Sequence, residues 1–546
     1  MGVPVVTVRS NGEKLDTGFS ILSLEVRKEV DRVPEARLVA HDGNIASRKF
    51  ELSDAPSFEP GAEVVIEIRK EAEDQADIQL FRGLVVRHAV ESRDGGSELR
   101  VELRDPAFVL TRRRRSAVHR QQTDDEIVRA ILDKASLTAG TLDAGDVTHA
   151  ALVQYNTTDW DFLASRADVN GQLIVVNDGE VSLRSLSKPG EVVARFAHGL
   201  DEIYEVELEL DVSEQWAAAE SLAWDAAEQA STEPAEADDV PAELGKFDVA
   251  EVASKLGGDR LTLVLPGSAA PEELAPWASG RLARSRMALC RGRIVVAGRA
   301  DIAPFDRIEI EGVGQRFAGP LLVSAVIQHY DRDGWRTELR LGLSPEWFAR
   351  VPGLADVPAG GLVPPIAGLQ VGLVHALADD PQGEHRVEVM LPAFNDKDTA
   401  VWARVARPDA GKDRGIVFWP EIGDEVVVGF LADDPRQAIV LGSLHGAKNT
   451  PPKPVGGPTD ANDHRAIVSK SGTSIAFDDQ KKSLTLTTPG NNKIVLDDDA
   501  KSITVEDEHG NKITLSKDGI TLKSAKDLKI DASGKIEIKG TSVDIQ

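Results

Sequence analysis

The chain has 546 residues, enough for several domains, with a formal net charge of −27 and 41% hydrophobic residues. Such acidity argues against phosphate-backbone binding as the main role, because that affinity comes from Lys and Arg, and it favours a soluble, self-repelling component of a particle. The lone cysteine, Cys290, excludes an intrachain disulfide and a thiolate metal cluster, and no apolar run of about twenty residues is present to predict a transmembrane helix. The N-terminal residues lack a charged segment followed by an apolar one, so no signal peptide is expected and synthesis in a reducing cytoplasm fits.

From Val3 to about Arg104 the pattern is β-rich, with alternation at Ile21–Val26 and Val64–Ile68, a turn at Phe58-Glu-Pro-Gly61 and a further strand from Phe81. Thr123-Asp-Asp-Glu126 is a capping box, and Ile127, Ala130, Ile131 and Ala135 form the apolar stripe of the helix it opens. A second short helix is predicted from Thr158 to Asn170-Gly171, followed by a hairpin over 173–183 that turns at Asp178-Gly179. The Ala-rich stretch Ser213–Ser231 predicts a helix, acidic Glu233–Pro241 an exposed loop insertion, and Pro271 toward Met287 another helix. Strands resume at Arg293–Val296, Arg307–Glu311, Leu321–Ile327 and Thr337–Leu341.

Pro352–Pro365 is a linker by composition. Between Ile366 and Gly446, five strand patterns beginning near Gln370, His385, Thr399, Asp424 and Gln437 suit a small Greek-key barrel of the OB type. A second linker, Asn449–Pro458, leads into the C-terminal stretch.

There the chain becomes a ladder of apolar-x-apolar triplets separated by turn formers and charge. They are Ile475/Phe477, Leu484/Leu486, Ile494/Leu496, Ile503/Val505, Ile513/Leu515, Ile520/Leu522, Leu528/Ile530, Ile536/Ile538 and Val543/Ile545. The spacing is nine to ten residues at first and tightens to seven or eight. Alternate side chains of a strand share one face, so each triplet presents two apolar groups inward and one polar group outward. One chain of such thin strands buries too little to offset its conformational entropy. Other copies are therefore expected to supply backbone hydrogen bonds and close the apolar core, the pairs from Leu484 to Ile538 filling a three-sided prism. A single-chain solenoid or a plain antiparallel meander is the alternative.

The barrel carries a specific resemblance. Val387–Pro392, Trp402–Val405, Gly415–Phe430, Asp433–Arg436 and Ile439–Leu444 resemble the spike barrel of the VgrG family, whose members resemble fused tail-spike and hub proteins of contractile phages. Phe58–Gly61, Phe81–Gly83, Arg112–Ser116, Tyr155–Leu163, Arg166 and His329–Leu341 resemble that family's hub. The resemblance implies a mainly β, multidomain protein, with a hub of β-barrels and a few helices at 1–351, an OB-fold barrel at 366–446 and an intertwined triple-stranded β-helix at 459–546. It further implies a homotrimeric spike of a contractile injection system, with the inner tube protein and baseplate components at the hub. A PAAR-type tip protein is expected on the last layer, Val543, Asp544, Ile545 and Gln546, and contraction drives the needle through the target envelope. The absence of an appended effector domain and the Asn156–Leu163 form of the hub motif favour an extracellular, phage-tail-like particle, with a type VI secretion spike as the near alternative.

The remaining motifs have plain readings. Gly312–Gly319 lacks the Lys-Ser/Thr of a phosphate loop and reads as a turn. Asp497–Asp499 and Glu506–Glu508 lack the spacing of a calcium loop and read as solvated turns, and His375, His385, His445, His464 and His509 fall at no metal-ligand spacing. An axial site shared by three copies stays open. Arg112–Arg115 is expected to pair within the hub or at a tube or trimer contact, and Trp402, Phe418 and Trp419 to pack the barrel or its trimer contact. No nucleophile–base–acid constellation is present, and the linker after the barrel is too short for a lysozyme domain, so neither catalysis, a cofactor nor a nucleic-acid partner is expected. A wall-degrading spike and a glycan-binding adhesin with a stalk are the other functional readings.

Overall fold

The computed structural model describes residues 3–545 apart from 16–18, 45–47, 71–75, 94–95, 144, 146, 239–247, 352, 355–356 and 394–399. The chain divides into two compact units, Met1–Asp356 and Val357–Gln546. Both are mainly β.

The first unit is organised on a 13-stranded sheet. Strands Pro4–Ser10, Glu63–Lys70, Ile78–Arg93, Gly96–Arg104, Glu35–His41 and Ile21–Glu29 pair in that spatial order, and alternation explains why they are strands. Val64, Ile66 and Ile68 are fully buried on one face, as are Leu99, Val101 and Leu103 across from them. Ile21–Glu29 then pairs with Pro320–Asp331, from Ala325 opposite Glu29 to Tyr330 opposite Leu24. Segments about 300 residues apart thus share one sheet, a closure that no local pattern announces.

Three helices stand where the sequence places them. Helix α1 (Asp124–Lys134) has the full capping box between Thr123 and Glu126, and α2 (Asp159–Val169) starts with Thr158 Oγ1 accepting from the Asp161 amide. The hairpin of Gln172–Asn177 with Glu180–Ser185 turns at Asp178-Gly179. The short α3 (Val249–Lys255) was not anticipated, whereas α4 (Pro271–Met287) was.

The Ala-rich stretch differs. Ala218–Asp225 is a strand, parallel to Arg260–Leu265, and not a helix. Ala219, Ser221 and Ala223 are buried at alternate positions, and Ser221 Oγ donates to the Leu274 carbonyl of α4 at 2.7 Å. Small side chains make a flat seat for α4, and this packing overrides alanine's helix propensity. Ala235–Glu236, within the segment read as a loop, pairs with the same strand; residues 239–241 lie outside the described residues.

Helix α4 is held to α2 by a buried ion pair, Arg281 Nη2 to Asp168 Oδ2 at 2.5 Å, with Arg284 Nε on Asp168 Oδ1 at 3.1 Å and the Trp347 ring 3.9 Å from the Arg281 guanidinium. Beside it the helix meets the turn after α2 at a glycine–glycine contact. A Cβ on Gly280 would lie 2.7 Å from the Gly171 nitrogen, and Gly171 has φ +62°. Gly280→Ala should therefore destabilise the first unit by about 1–3 kcal/mol in urea unfolding, reversing the gain of up to ~1 kcal/mol usual for this change inside a helix.

In the second unit, Gln370–Ala376, Val387–Met390, Val401–Val405, Ala438–Ser443 and Glu425–Phe430 close a five-stranded barrel in that order. Its core is Val374, Val387, Val389, Leu391, Ala403, Val426, Val428, Ala438 and Val440. The expected third strand began at Thr399, which lies outside the described residues.

The C-terminal ladder forms a seven-stranded sheet: His464–Val468, Ser474–Asp478, Ser483–Thr487, Lys493–Asp497, Ser502–Glu506, Lys512–Ser516 and Gly519–Lys523. Each strand pairs antiparallel with the next. The early triplets thus satisfy much of their backbone within the chain rather than leaving it all to other copies. A nine- or ten-residue period holds a five-residue strand and a turn long enough to reverse direction. Residues 524–545 repeat the triplet pattern without a strand.

Candidate functional site

The site is the face of the C-terminal sheet. Register stacks the triplets into two apolar columns across the strands. One runs Ile475, Leu486, Ile494, Val505, Ile513, Leu522; the other runs Phe477, Leu484, Leu496, Ile503, Leu515, Ile520. The middle residues, Ala476, Thr485, Val495, Thr504, Thr514 and Thr521, form a separate column, on the opposite face by strand alternation.

Burial is inverted relative to a finished fold. Ile513 is 40% exposed and Leu515 38%, whereas Thr514 between them is half-buried. The same holds at Ile494 and Leu496 around Val495 and at Ile503 and Val505 around Thr504. Leu484 is half-buried. Leu528, Ile530, Ile536, Ile538, Val543 and Ile545, beyond the last strand, are more open still. Covering the remaining surface of one such side chain is worth about 1–2 kcal/mol. Asp544 stands between Val543 and Ile545; Gln546 lies outside the described residues.

The acidic turns are occupied locally. Asp507 Oδ1 accepts from the amides of His509 (3.0 Å) and Asn511 (2.8 Å), and its Oδ2 from Asn511 Nδ2 at 2.6 Å. Asp497 Oδ1 accepts from the Ala500 amide at 2.8 Å. His375, His385, His445, His464 and His509 are exposed, and among the described residues no group of three or more His, Cys, Asp or Glu is arranged to hold a metal ion. Gly312 and Gly314, with φ +81° and +91°, form the turn between Arg307–Glu311 and Pro320–Asp331.

In the first unit, two arginines of the basic run have partners within the unit. Arg115 pairs with Asp159, and Arg114 donates to the carbonyls of Asn156 (2.9 Å) and Gly353 (2.8 Å). A buried polar cluster was not anticipated. His149 contacts Asp124 Oδ2 through Nε2 at 3.1 Å and Glu273 Oε1 through Nδ1 at 2.7 Å, and Arg166 forks onto Asp124 at 2.8 and 2.9 Å. Burial disfavours the Asp124 carboxylate, but Arg166 and Asn170 hydrogen bonds with the Arg166 charge hold it below the usual range. Through these hydrogen bonds and the Arg166–Asp124 ion pair, the cluster ties α1, α2 and α4 together.

Three family descriptions cover the chain in order. Residues 1–331 match the Alg8 N-terminal domain, 370–445 the type VI secretion system/phage-baseplate injector OB domain, and 483–546 the phage baseplate V C-terminal trimerisation domain. The chain belongs to the Alg8 N-terminal domain family, and its barrel and C-terminal segment are similar to the injector and trimerisation domains of phage baseplate and VgrG-type spikes.

Among relatives of this chain, the type VI secretion system spike protein VgrG3 of Vibrio cholerae is 37% identical over 100 residues, 16% of this chain and 10% of that protein. VgrG1c of Pseudomonas aeruginosa is 32% identical over 85 residues, 16% of this chain and 12% of that protein. The actin cross-linking toxin VgrG1 of V. cholerae is 36% identical over 83 residues, 13% of this chain and 8% of the toxin. The chain thus spans about a tenth of the length of the curated relatives it matches. Solved structures similar to this chain include the 43 kDa tail protein of prophage MuSo2 from Shewanella oneidensis (12% identity, TM-score 0.45, 63% of this chain and 98% of that one). The E. coli type VI component c3393 gives 14% identity and TM-score 0.40 over 80% of this chain and 99% of that one. The Francisella PdpA–VgrG complex gives 9% identity and TM-score 0.40 over 96% of this chain and 80% of that one.

One turn of the C-terminal sheet holds a carboxylate whose hydrogen bonds depend on its charge. Asn511's hydrogen bond holds the Asp507 carboxyl below the usual carboxylate range. The stabilisation is fully present above the unfolded pKa, about 4, and is lost as pH falls through the folded value. Asp507→Ala should accelerate amide exchange in 502–516 at neutral pH, and the difference from wild type should shrink as pH falls below the unfolded pKa of about 4.

Proposed function

We propose that this chain is the homotrimeric spike and hub of a contractile injection system, and that its work is mechanical rather than catalytic. One observation carries the reading: the C-terminal sheet leaves its apolar columns more open than its threonine column. A face of that kind requires a cover, and two identical faces related by a threefold axis provide one. The core is then Leu484, Leu486, Ile494, Leu496, Ile503, Val505, Ile513, Leu515, Ile520 and Leu522, each chain contributing one side of a prism. Leu528, Ile530, Ile536 and Ile538 continue it where the chains wind around each other. The match to a trimerisation domain over 483–546 supports this.

In this reading the hub is 1–351, the collar barrel 366–446 and the needle 459–546. The hub meets the inner tube protein and baseplate components, and Val543, Asp544 and Ile545, with Gln546, seat a PAAR-type tip. Synthesised in the bacterial cytoplasm, the spike is carried in an assembled particle and driven through a target envelope on contraction. The setting in a type VI secretion system is a second reading, favoured by the names of the V. cholerae and P. aeruginosa relatives.

Light scattering after size exclusion tests the oligomer: about three times the 58.8 kDa chain mass is expected, and a stable monomer would overturn it. Ile513→Asp should break trimerisation of the C-terminal sheet, because three carboxylates cannot share a dry core, while Thr514→Asp is tolerated. Equal effects from the two changes would refute the prism.

A further inference from the structure

The barrel carries a surface that its own fold does not use. Its core is complete without the loop between Gly415 and Gly423. Yet Ile416, Val417, Phe418, Trp419 and Ile422 in that loop are all between 44% and 65% exposed. Five large apolar side chains within seven residues make a contiguous patch on the order of several hundred Å², the size that marks an interaction surface.

The loop is nonetheless held in shape. The hairpin of Ala410-Gly411 with Arg414-Gly415 leads into it, and the Ile416 amide donates to the Asp409 carbonyl at 3.1 Å. The Arg407 guanidinium lies 4.2 Å from the Trp419 ring centroid and donates to the Phe418 carbonyl. The Glu421 amide donates to Asp424 Oδ2 at 2.9 Å, and the Glu421 carboxylate pairs with Lys470, in the first turn of the C-terminal sheet. An exposed apolar loop fixed at both ends is preorganised for docking rather than for collapse.

The same barrel presents a groove of about 540 Å³ lined by Val371, Leu373, Met390, Leu391 and Pro392, with Glu425 among its polar residues. Val371 and Leu373 are exposed in it. The chain therefore leaves both the loop and the groove open, and neither fills the other.

We propose that the loop Ile416–Ile422 of each chain docks into the Val371/Leu373 groove of the neighbouring copy, forming a clasp at the base of the needle. The inference rests on the trimeric reading and adds a second interface to it. The occupant is a second copy because the Glu421–Lys470 pair joins the loop to the sheet that trimerises, so assembly of the needle gathers three barrels beside their three loops. A loop-into-groove contact is heterologous, and repeated around a threefold axis it closes with every loop and every groove filled. The barrels then form a ring locked independently of the needle core.

Cysteine cross-linking of the full chain reads this contact against a quiet background. Cys290 is the only cysteine; it is buried, and burial pushes its thiol up to about 12. With a short bis-maleimide, the Phe418→Cys/Leu373→Cys double variant should convert from single chains to a covalent three-chain species on a denaturing gel. Either single variant should give none. A double variant that is trimeric by light scattering but does not cross-link overturns the clasp and leaves the trimer standing. Cross-linking of Phe418→Cys alone also overturns it, since the loops would then meet one another. A product confined to one chain does the same by placing the loop in its own groove. A wild-type chain that is monomeric by light scattering overturns the clasp and the trimer together.

Discussion

A single-layer sheet cannot have two dry faces, and that constraint governs the C-terminal sheet of this protein. Seven five-residue strands pair each with the next, so the chain satisfies much of this sheet's backbone hydrogen bonding by itself. What it cannot satisfy is the pair of apolar columns from Ile475 to Leu522. The demand for a partner is thus hydrophobic in the paired part of the ladder. In the last triplets, which have no ladder, it is both hydrophobic and polar. These are two different reasons for association, placed end to end.

The first unit solves its problem in the opposite way: its strands enclose their own apolar clusters, and its buried charges are paired internally. Asp168 answers Arg281 and Arg284, Asp124 answers Arg166 and His149, and Asp159 answers Arg115. Buried pairs of this kind add little net stability over apolar packing but are costly to break, so they fix which helix meets which. In a chain of net charge −27, pairing inside the first unit leaves the surplus acid for the surface.

Local signals were legible wherever a residue's role depended on near neighbours. Thr123 and Glu126 announced α1, Asp178-Gly179 announced its hairpin, and alternation marked all five barrel strands. That each triplet places its two apolar residues on one face followed from strand alternation alone. Errors arose where a distant partner decided the outcome. Alanines at 217–219 favour helix until α4 is known to lie on them. The hairpin pairing of the needle strands was undetermined because within-chain and between-chain pairing require the same apolar-x-apolar pattern. The His149 cluster gave no spacing signal, since its members come from separate elements.

The pairing of Ile21–Glu29 with Pro320–Asp331 sets the order in which this chain becomes a protein. At synthesis rates of about 5–20 residues per second, the first strand waits on the order of 15–60 s for its neighbour to be made. Throughout that time one edge of the N-terminal sheet is a bare template, and local pairing with Glu35–His41 guards only its other side. The C-terminal ladder emerges after the N-terminal sheet can close, so its open apolar columns become available only once that bare edge has been sealed.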